Sequence, residues 1–205
     1  MSSPTNSSVS ICNSALLKVG ADIISSLDDG TRAANICKIM YPILRDEAQQ
    51  AAPWRFCLLQ VQLTPNLVPP SFDYLNSFAL PLDCLRVWRV NSAKWTVKQG
   101  NILCDNTLVD LLYIQRNTDE STWDSCFVEA LAWRMAMEIA LALIQSVPLK
   151  QDAEKSYMAA LAQCRAENAT LGTPERLVAD IWSGAHKGYD YFHAIDAGPS
   201  EVYGP

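Results

Sequence analysis

The stretch Ser125 to Val147, SCFVEALAWRMAMEIALALIQSV, limits the possible folds more than any other. It consists mostly of strong helix formers and has no glycine or proline before Pro148. Apolar side chains surround nearly the whole helical wheel, so other protein must cover at least two of its faces. Arg134, Glu138 and Gln145 share one narrow stripe, and Glu129 points elsewhere. At ~1.5 Å per residue the run is long enough to cross a bilayer. Three internal charges and the lack of a basic flank argue against that. The expectation is the central helix of a soluble helical bundle.

The segments around it are read by period and punctuation. Residues 1 to 7 read as disordered. A first helix starts near Ser8 or Ser10, buries Ile11, Ala15, Leu16 and Val19, and stops at Gly20. Asp28-Asp29-Gly30 precedes a second helix over about Thr31 to Ala52, with Ala33, Ile36, Cys37, Met40, Leu44 and Ala48 inward. Pro42 should kink or split it, and Pro53 ends it. From Trp54 to Arg116 the period becomes that of strands: Phe56–Leu63, Asp73–Leu80, Leu85–Val90, Lys94–Lys98, Ile102–Cys104 and Leu108–Gln115. Gln99-Gly100-Asn101 reads as a hairpin turn. Ser146-Val147-Pro148 breaks the third helix. The fourth runs over about Leu149 to Leu171, with Ala153, Tyr157, Ala160, Leu161 and Cys164 on one face and Gly172 as the stop. The short break predicts that helices three and four are antiparallel neighbours.

The predicted fold class is therefore α+β. An antiparallel bundle of about four helices (1–54 and 119–172) carries a small antiparallel β-domain (55–118) between helices 2 and 3. An extended C-terminal arm (173–205) follows. That arm combines glycines and prolines with Trp182, Tyr189, Tyr191, Phe192 and Tyr203, more aromatics than a solvated tail carries. Two readings stay open: an arm that orders against a partner through aromatic anchors, or a tail that folds back on its own domain.

Composition narrows the function classes. The chain has 205 residues, 49% of them hydrophobic, and a net charge of -6. That balance argues against gripping nucleic-acid phosphates over a large surface. The polar N-terminus has no signal-peptide pattern. Seven cysteines stand singly, with no CxxC, and read as free buried thiols in a reducing compartment.

Catalytic and metal motifs are lacking. His186, Asp190 and His193 match no zinc spacing and read as solvated or interface groups. No nucleophile elbow or phosphate loop occurs. Asp28-Asp29, Asp119-Glu120 and Asp73/Asp83 could supply paired carboxylates for glycoside hydrolysis, but the first two sit where helix-capping acids belong. Trp54 and Trp123 are expected to seal the junction between bundle and insert, and Trp88 and Trp95 to pack within strands. No cofactor or metal is expected, and the chain reads as a non-enzyme.

The order of local signatures resembles a known family. An Asn13-x-Ala15-Leu16 helix ends in Gly20-Ala21, followed by Tyr41-Pro42 with Arg45-Asp46-Glu47, then Pro53-Trp54-Arg55-Phe56. Leu80-Pro81-Leu82-Asp83-Cys84-Leu85-Arg86, Tyr113-Ile114, the Ala-rich third helix, Tyr157, Ala160-Leu161 and Arg165-Ala166 complete the layout over about residues 8 to 172. This resembles the tail tubular protein A family, the head-to-tail adaptors of short-tailed (T7-like) double-stranded DNA bacteriophages. The resemblance implies a virion structural protein that forms a ring, usually dodecameric, between portal protein and tail nozzle protein, with DNA leaving through the bore. It implies a C-terminal arm climbing the portal, with Trp182, Tyr189, Tyr191, Phe192 and Tyr203 as its contacts. The β-insert would face the nozzle, the tail fibres or the neighbouring subunit. Assembly in the host bacterial cytoplasm fits free cysteines, and an acidic bore would let DNA pass without holding it. The alternatives are a tail-associated glycan hydrolase and a head-completion gatekeeper that closes the bore.

Overall fold

The computed structural model describes residues 6–170. Trp182, Tyr189, Tyr191, Phe192, Tyr203 and the two histidines lie outside the described residues, so the arm readings concern a segment about which the structure says nothing. The described chain is α+β, with four helices and two small antiparallel sheets in the order α1, α2, six strands, α3, α4.

Helix α1, Ser8–Lys18, is capped one residue earlier than expected. The Ser7 hydroxyl accepts from the Ser10 N–H, and Ser10 reciprocates on the Ser7 N–H. It ends where Gly20 takes φ +72°, with Ala21 N–H donating to Leu16 O and Gly20 N–H to Leu17 O. Helix α2, Arg32–Gln50, corrects two expectations. Its cap is Thr31, which accepts from Ala34 N–H, and not the acids before it. The helix also runs unbroken through Pro42. Pro42 is exposed, and so is Lys38, whose carbonyl lacks the N–H that a proline cannot supply, so water can take that place. The inward face is Ala34, Cys37, Tyr41, Leu44 and Ala48, with Ala33, Ile36 and Met40 half-buried beside it.

All six strands form where the residue pattern places them: β1 Leu58–Leu63, β2 Asn76–Ala79, β3 Cys84–Val90, β4 Trp95–Lys98, β5 Asn101–Cys104 and β6 Val109–Gln115. They make two sheets, ordered β1-β6-β3 and β2-β5-β4, with every pairing antiparallel. Gln99 and Gly100, at φ 50° and 72°, form the two-residue turn between β4 and β5. Strand β6 alternates, so Val109, Leu111 and Tyr113 meet Phe78, Ile102 and Cys104 of the second sheet in a small core. Ile114 points the other way and joins the helical core. The first sheet therefore lies between the helices and the second sheet.

Four rings close the junction. Phe127 of the third helix has Trp54, Phe56 and Trp123 around it at centroid distances of 5.3, 4.9 and 5.4 Å. Trp54 Nε1 donates to Ala48 O at 2.9 Å. The two tryptophans do seal the point where the chain leaves and rejoins the helices. Trp88 and Trp95, expected to be packed, stay 41% and 37% exposed, because both occupy edge strands.

Helix α3 is Ser125–Ile139, shorter than the apolar run that defines it. A π turn, Ala140–Ile144, follows, and Gln145 adopts a left-handed φ of 56°. Helix α4, Val147–Thr170, then starts with Ser146 Oγ accepting from Leu149 N–H. Pro148 thus sits in the first turn of α4, where no backbone donor is needed, and is not the breaker. Ala153, Tyr157, Leu161 and Cys164 are its buried face. A further correction concerns the cysteines. Cys126 and Cys164 are joined as a disulfide with their Cα atoms 5.3 Å apart, while Cys12, Cys37, Cys57, Cys84 and Cys104 are free. Singly spaced cysteines gave no sign of this, because the start of α3 meets the end of α4 only through the antiparallel packing. No described helix is long and apolar enough to cross a membrane.

Candidate interaction surfaces

The acids that might have formed a hydrolytic pair have structural work. Asp29 accepts from the backbone N–H groups of Ser25 and Ser26, and the Ser26 bond above all holds its carboxyl below the ordinary value. Asp28 pairs with Lys38 at 2.7 Å. Asp119 caps the short turn Glu120–Thr122. Glu120 accepts from the Tyr41 hydroxyl at 2.9 Å, and burial together with that bond raises the Tyr41 pKa. Asp83 lies in the turn before β3 and accepts from Gln115 Nε2 and Tyr113 Oη of β6. Burial, and then the Asp83 charge, push Tyr113 up to about 12. Asp73 lies in a loop over the second sheet at φ 69°. Among the described residues no group of His, Cys, Asp or Glu could hold a metal ion.

The charged stripe on α3 is likewise structural. Arg134 bonds Glu138 at 2.7 Å and Glu47 of α2 at 3.1 Å, and Glu129 turns away to meet Lys18 of α1 at 2.6 Å. These pairs orient α1 and α2 around α3.

Two uncovered surfaces are rich in apolar side chains. The loop between β1 and β2 reads Thr64-Pro65-Asn66-Leu67-Val68-Pro69-Pro70-Ser71-Phe72-Asp73-Tyr74-Leu75. Its three prolines lack the donor a sheet ladder requires, so the segment cannot extend either strand. It is pinned at its ends instead. Asn66 N–H donates to Ser77 O at 2.7 Å, the Asn66 amide reaches Ser77 Oγ and Asn101 Oδ1, and Leu75 N–H donates to Asp105 Oδ1 at 2.9 Å. Between these anchors Leu67, Val68 and Phe72 stand 102%, 76% and 81% exposed. Lys98 of β4 flanks Phe72 along a depression of about 700 Å³.

A second uncovered region is concave. A groove of about 400 Å³ lies between the α1–α2 link and the π turn, lined by Gly20–Ile24, Thr31, Ala33, Leu143 and Ile144. Its shape is held by Asn13, whose amide donates to and accepts from the Ile24 backbone, both at 2.8 Å. Ile23 and Ile144 are open to solvent on its rim, and Asp22 lies beside them. Neither surface was legible as a site in the residue pattern, though a proline-rich stretch with large apolar residues and few polar ones was a usable signal for the first. Comparison with models of known protein families and with curated proteins finds no match to this chain.

Proposed function

We propose that this chain is a structural subunit of a short-tailed bacteriophage virion, a head-to-tail adaptor that forms a ring between portal and tail nozzle. The observation that carries the reading is the placement of the Pro53-Trp54-Arg55-Phe56 segment. Its Trp54 and Phe56 rings lock a six-stranded insert onto α3, in the helix–insert–helix order on which the resemblance rests. Two exposed apolar surfaces on one chain also suit a subunit made to be surrounded by other protein. In this reading about twelve copies close a ring in the bacterial cytoplasm, and the insert meets the nozzle, fibres or a neighbour. DNA passes an acidic bore without being bound. The arm contacts the portal through Trp182, Tyr189, Tyr191, Phe192 and Tyr203. A glycan hydrolase finds less support, since its candidate carboxylates are mostly occupied by caps, ion pairs and hydrogen bonds.

The test is a mass measurement of the purified chain with and without portal protein, repeated on a chain cut after Gly172. The full chain is expected to add to the portal as a ring and the truncated one to stay apart. Equal binding by both would remove the role of the arm. A full chain that ignores the portal and turns over a host polysaccharide would overturn the adaptor reading.

A further inference from the structure

We infer that copies of this chain join head to tail, the proline-rich loop of one insert seating Val68 and Phe72 in the groove beside Ile23 and Ile144 of the next copy. The inference deepens the ring reading and rests on it. One surface offers exposed apolar side chains and the other is a groove, and they belong to different parts of the same chain. Such a pair makes a heterologous contact, which propagates and closes into a ring when its rotation allows.

Charge supports the same occupant. Lys98 beside the loop and Asp22 beside the groove are both exposed, and neither side chain has a hydrogen-bond or ion-pair partner among the described residues. Seating the loop would let each supply what the other lacks. The wider regions are complementary too. Residues 55–118 hold six Lys or Arg against four Asp or Glu, whereas residues 1–54 and 119–172 hold eight against thirteen. Opposed regional charge steers encounter and disfavours like-on-like contacts.

Both surfaces are preorganised. Three prolines and the anchors at Asn66 and Leu75 fix the loop, so little chain entropy remains to be lost on docking. The groove is fixed by the Asn13 clamp on one side. On the other, its wall is a π turn closed by a left-handed Gln145. Irregular backbone of that kind recurs at functional sites.

The experiment reads assembly size against concentration, by native mass spectrometry and sedimentation of the full chain. Phe72→Asp and Ile23→Asp should each be a folded monomer. Mixing the two should give discrete dimers and nothing larger, because one intact loop then meets one intact groove and the remaining ends are blocked. Lys98→Glu should weaken association at least tenfold, and Lys98→Glu with Asp22→Lys in the same chain should restore most of it. Assemblies of unchanged size from Phe72→Asp and Ile23→Asp would overturn this contact and leave the ring reading standing. A wild-type chain that stays monomeric at every concentration would overturn the contact too, and the ring reading would then stand or fall on the portal measurement alone.

Discussion

The helical part and the β-insert solve burial differently. Around α3 the helices enclose Phe127, Leu131, Met135 and Ile139, leaving Leu17, Ile39, Ile43 and Met158 open on their outer faces, and the charges that approach the core are paired across helices, Arg134 with Glu47 and Lys18 with Glu129. The insert has two three-stranded sheets and one small core between them. Six short strands cannot cover every apolar residue, so Leu67, Val68, Phe72, Leu75, Trp88 and Trp95 remain in contact with water. The contrast teaches that the insert's surplus apolar surface collects in the loop and edge strands that its two sheets cannot cover. A part built for contact can leave it there at little cost to its own stability.

The largest test strikes the boundary between the two regions. Trp54→Ala removes a fully buried ring from the Phe127 cluster and takes from the Ala48 carbonyl one of its two donors, leaving the Ala51 N–H. It should cost about 4 kcal/mol, in the range for deleting a large core aromatic. In urea denaturation followed by fluorescence and by circular dichroism, both regions should lose stability together. A loss confined to the insert signal would show that the two parts fold independently. Next in size is the Cys126–Cys164 link, which closes a loop of 38 residues within the helical part only. Its reduction should cost about 3.9 kcal/mol by loop-closure entropy. Hydrogen exchange should rise in α4 and not in the strands.

How much of this was legible in the residues depended on how local each cause was. Strands such as β6 were readable because a period of two and bounding turns act within a few residues. The Gln99-Gly100 turn was readable because its backbone demands are local as well. The end of α3 was not, since helix formers continue to Leu143 and the π turn arises where Arg32 of α2 donates to the Ala142 carbonyl, a partner 110 residues away. Asp28 and Asp29 looked like caps for α2 on position alone. The structure gives that role to Thr31, because Asp29 is taken up by Ser25 and Ser26. The anchoring of the proline-rich loop needed Asn66, Ser77 and Asn101 to meet across separate strands. No single-chain period encodes that.

A smaller effect separates the two regions by pH. The link before α2 is held by Asp29, whose carboxyl is lowered from 3.8 in the folded chain by the Ser26 and Ser25 bonds. A depressed carboxyl contributes above its unfolded value, and that contribution fades as pH falls through the folded value. Exchange of the Ser25 and Ser26 amides, corrected for intrinsic rate, should therefore accelerate below pH 3.8. The Gln99-Gly100 hairpin has no titrating group among its turn residues and should show no such step. Asp29→Asn should lower protection at Ser25 and Ser26 at neutral pH and abolish the step. A step that persists in this variant would assign the titration to another group.

The smallest expected effect, that of Leu67→Ser, is also the sharpest comparison, because Leu131→Ser makes the same change in the other region with a large effect. Leu131 of α3 is fully buried and Leu67 of the loop is fully exposed. Leu131→Ser removes most of a packed side chain and places a hydroxyl among apolar neighbours, at a cost of about 4 kcal/mol. Leu67→Ser exchanges one solvated side chain for another, and its stability should stay within about 0.5 kcal/mol of wild type. The same change should lower the tendency of concentrated chain to associate, since the surface it edits is apolar and open. If Leu67→Ser instead destabilised the monomer by more than about 1 kcal/mol, the loop would be packing against its own chain. Its apolar residues would then belong to the insert's core, and the contrast between a packed helical core and an open insert loop would fail at the residue where it is greatest.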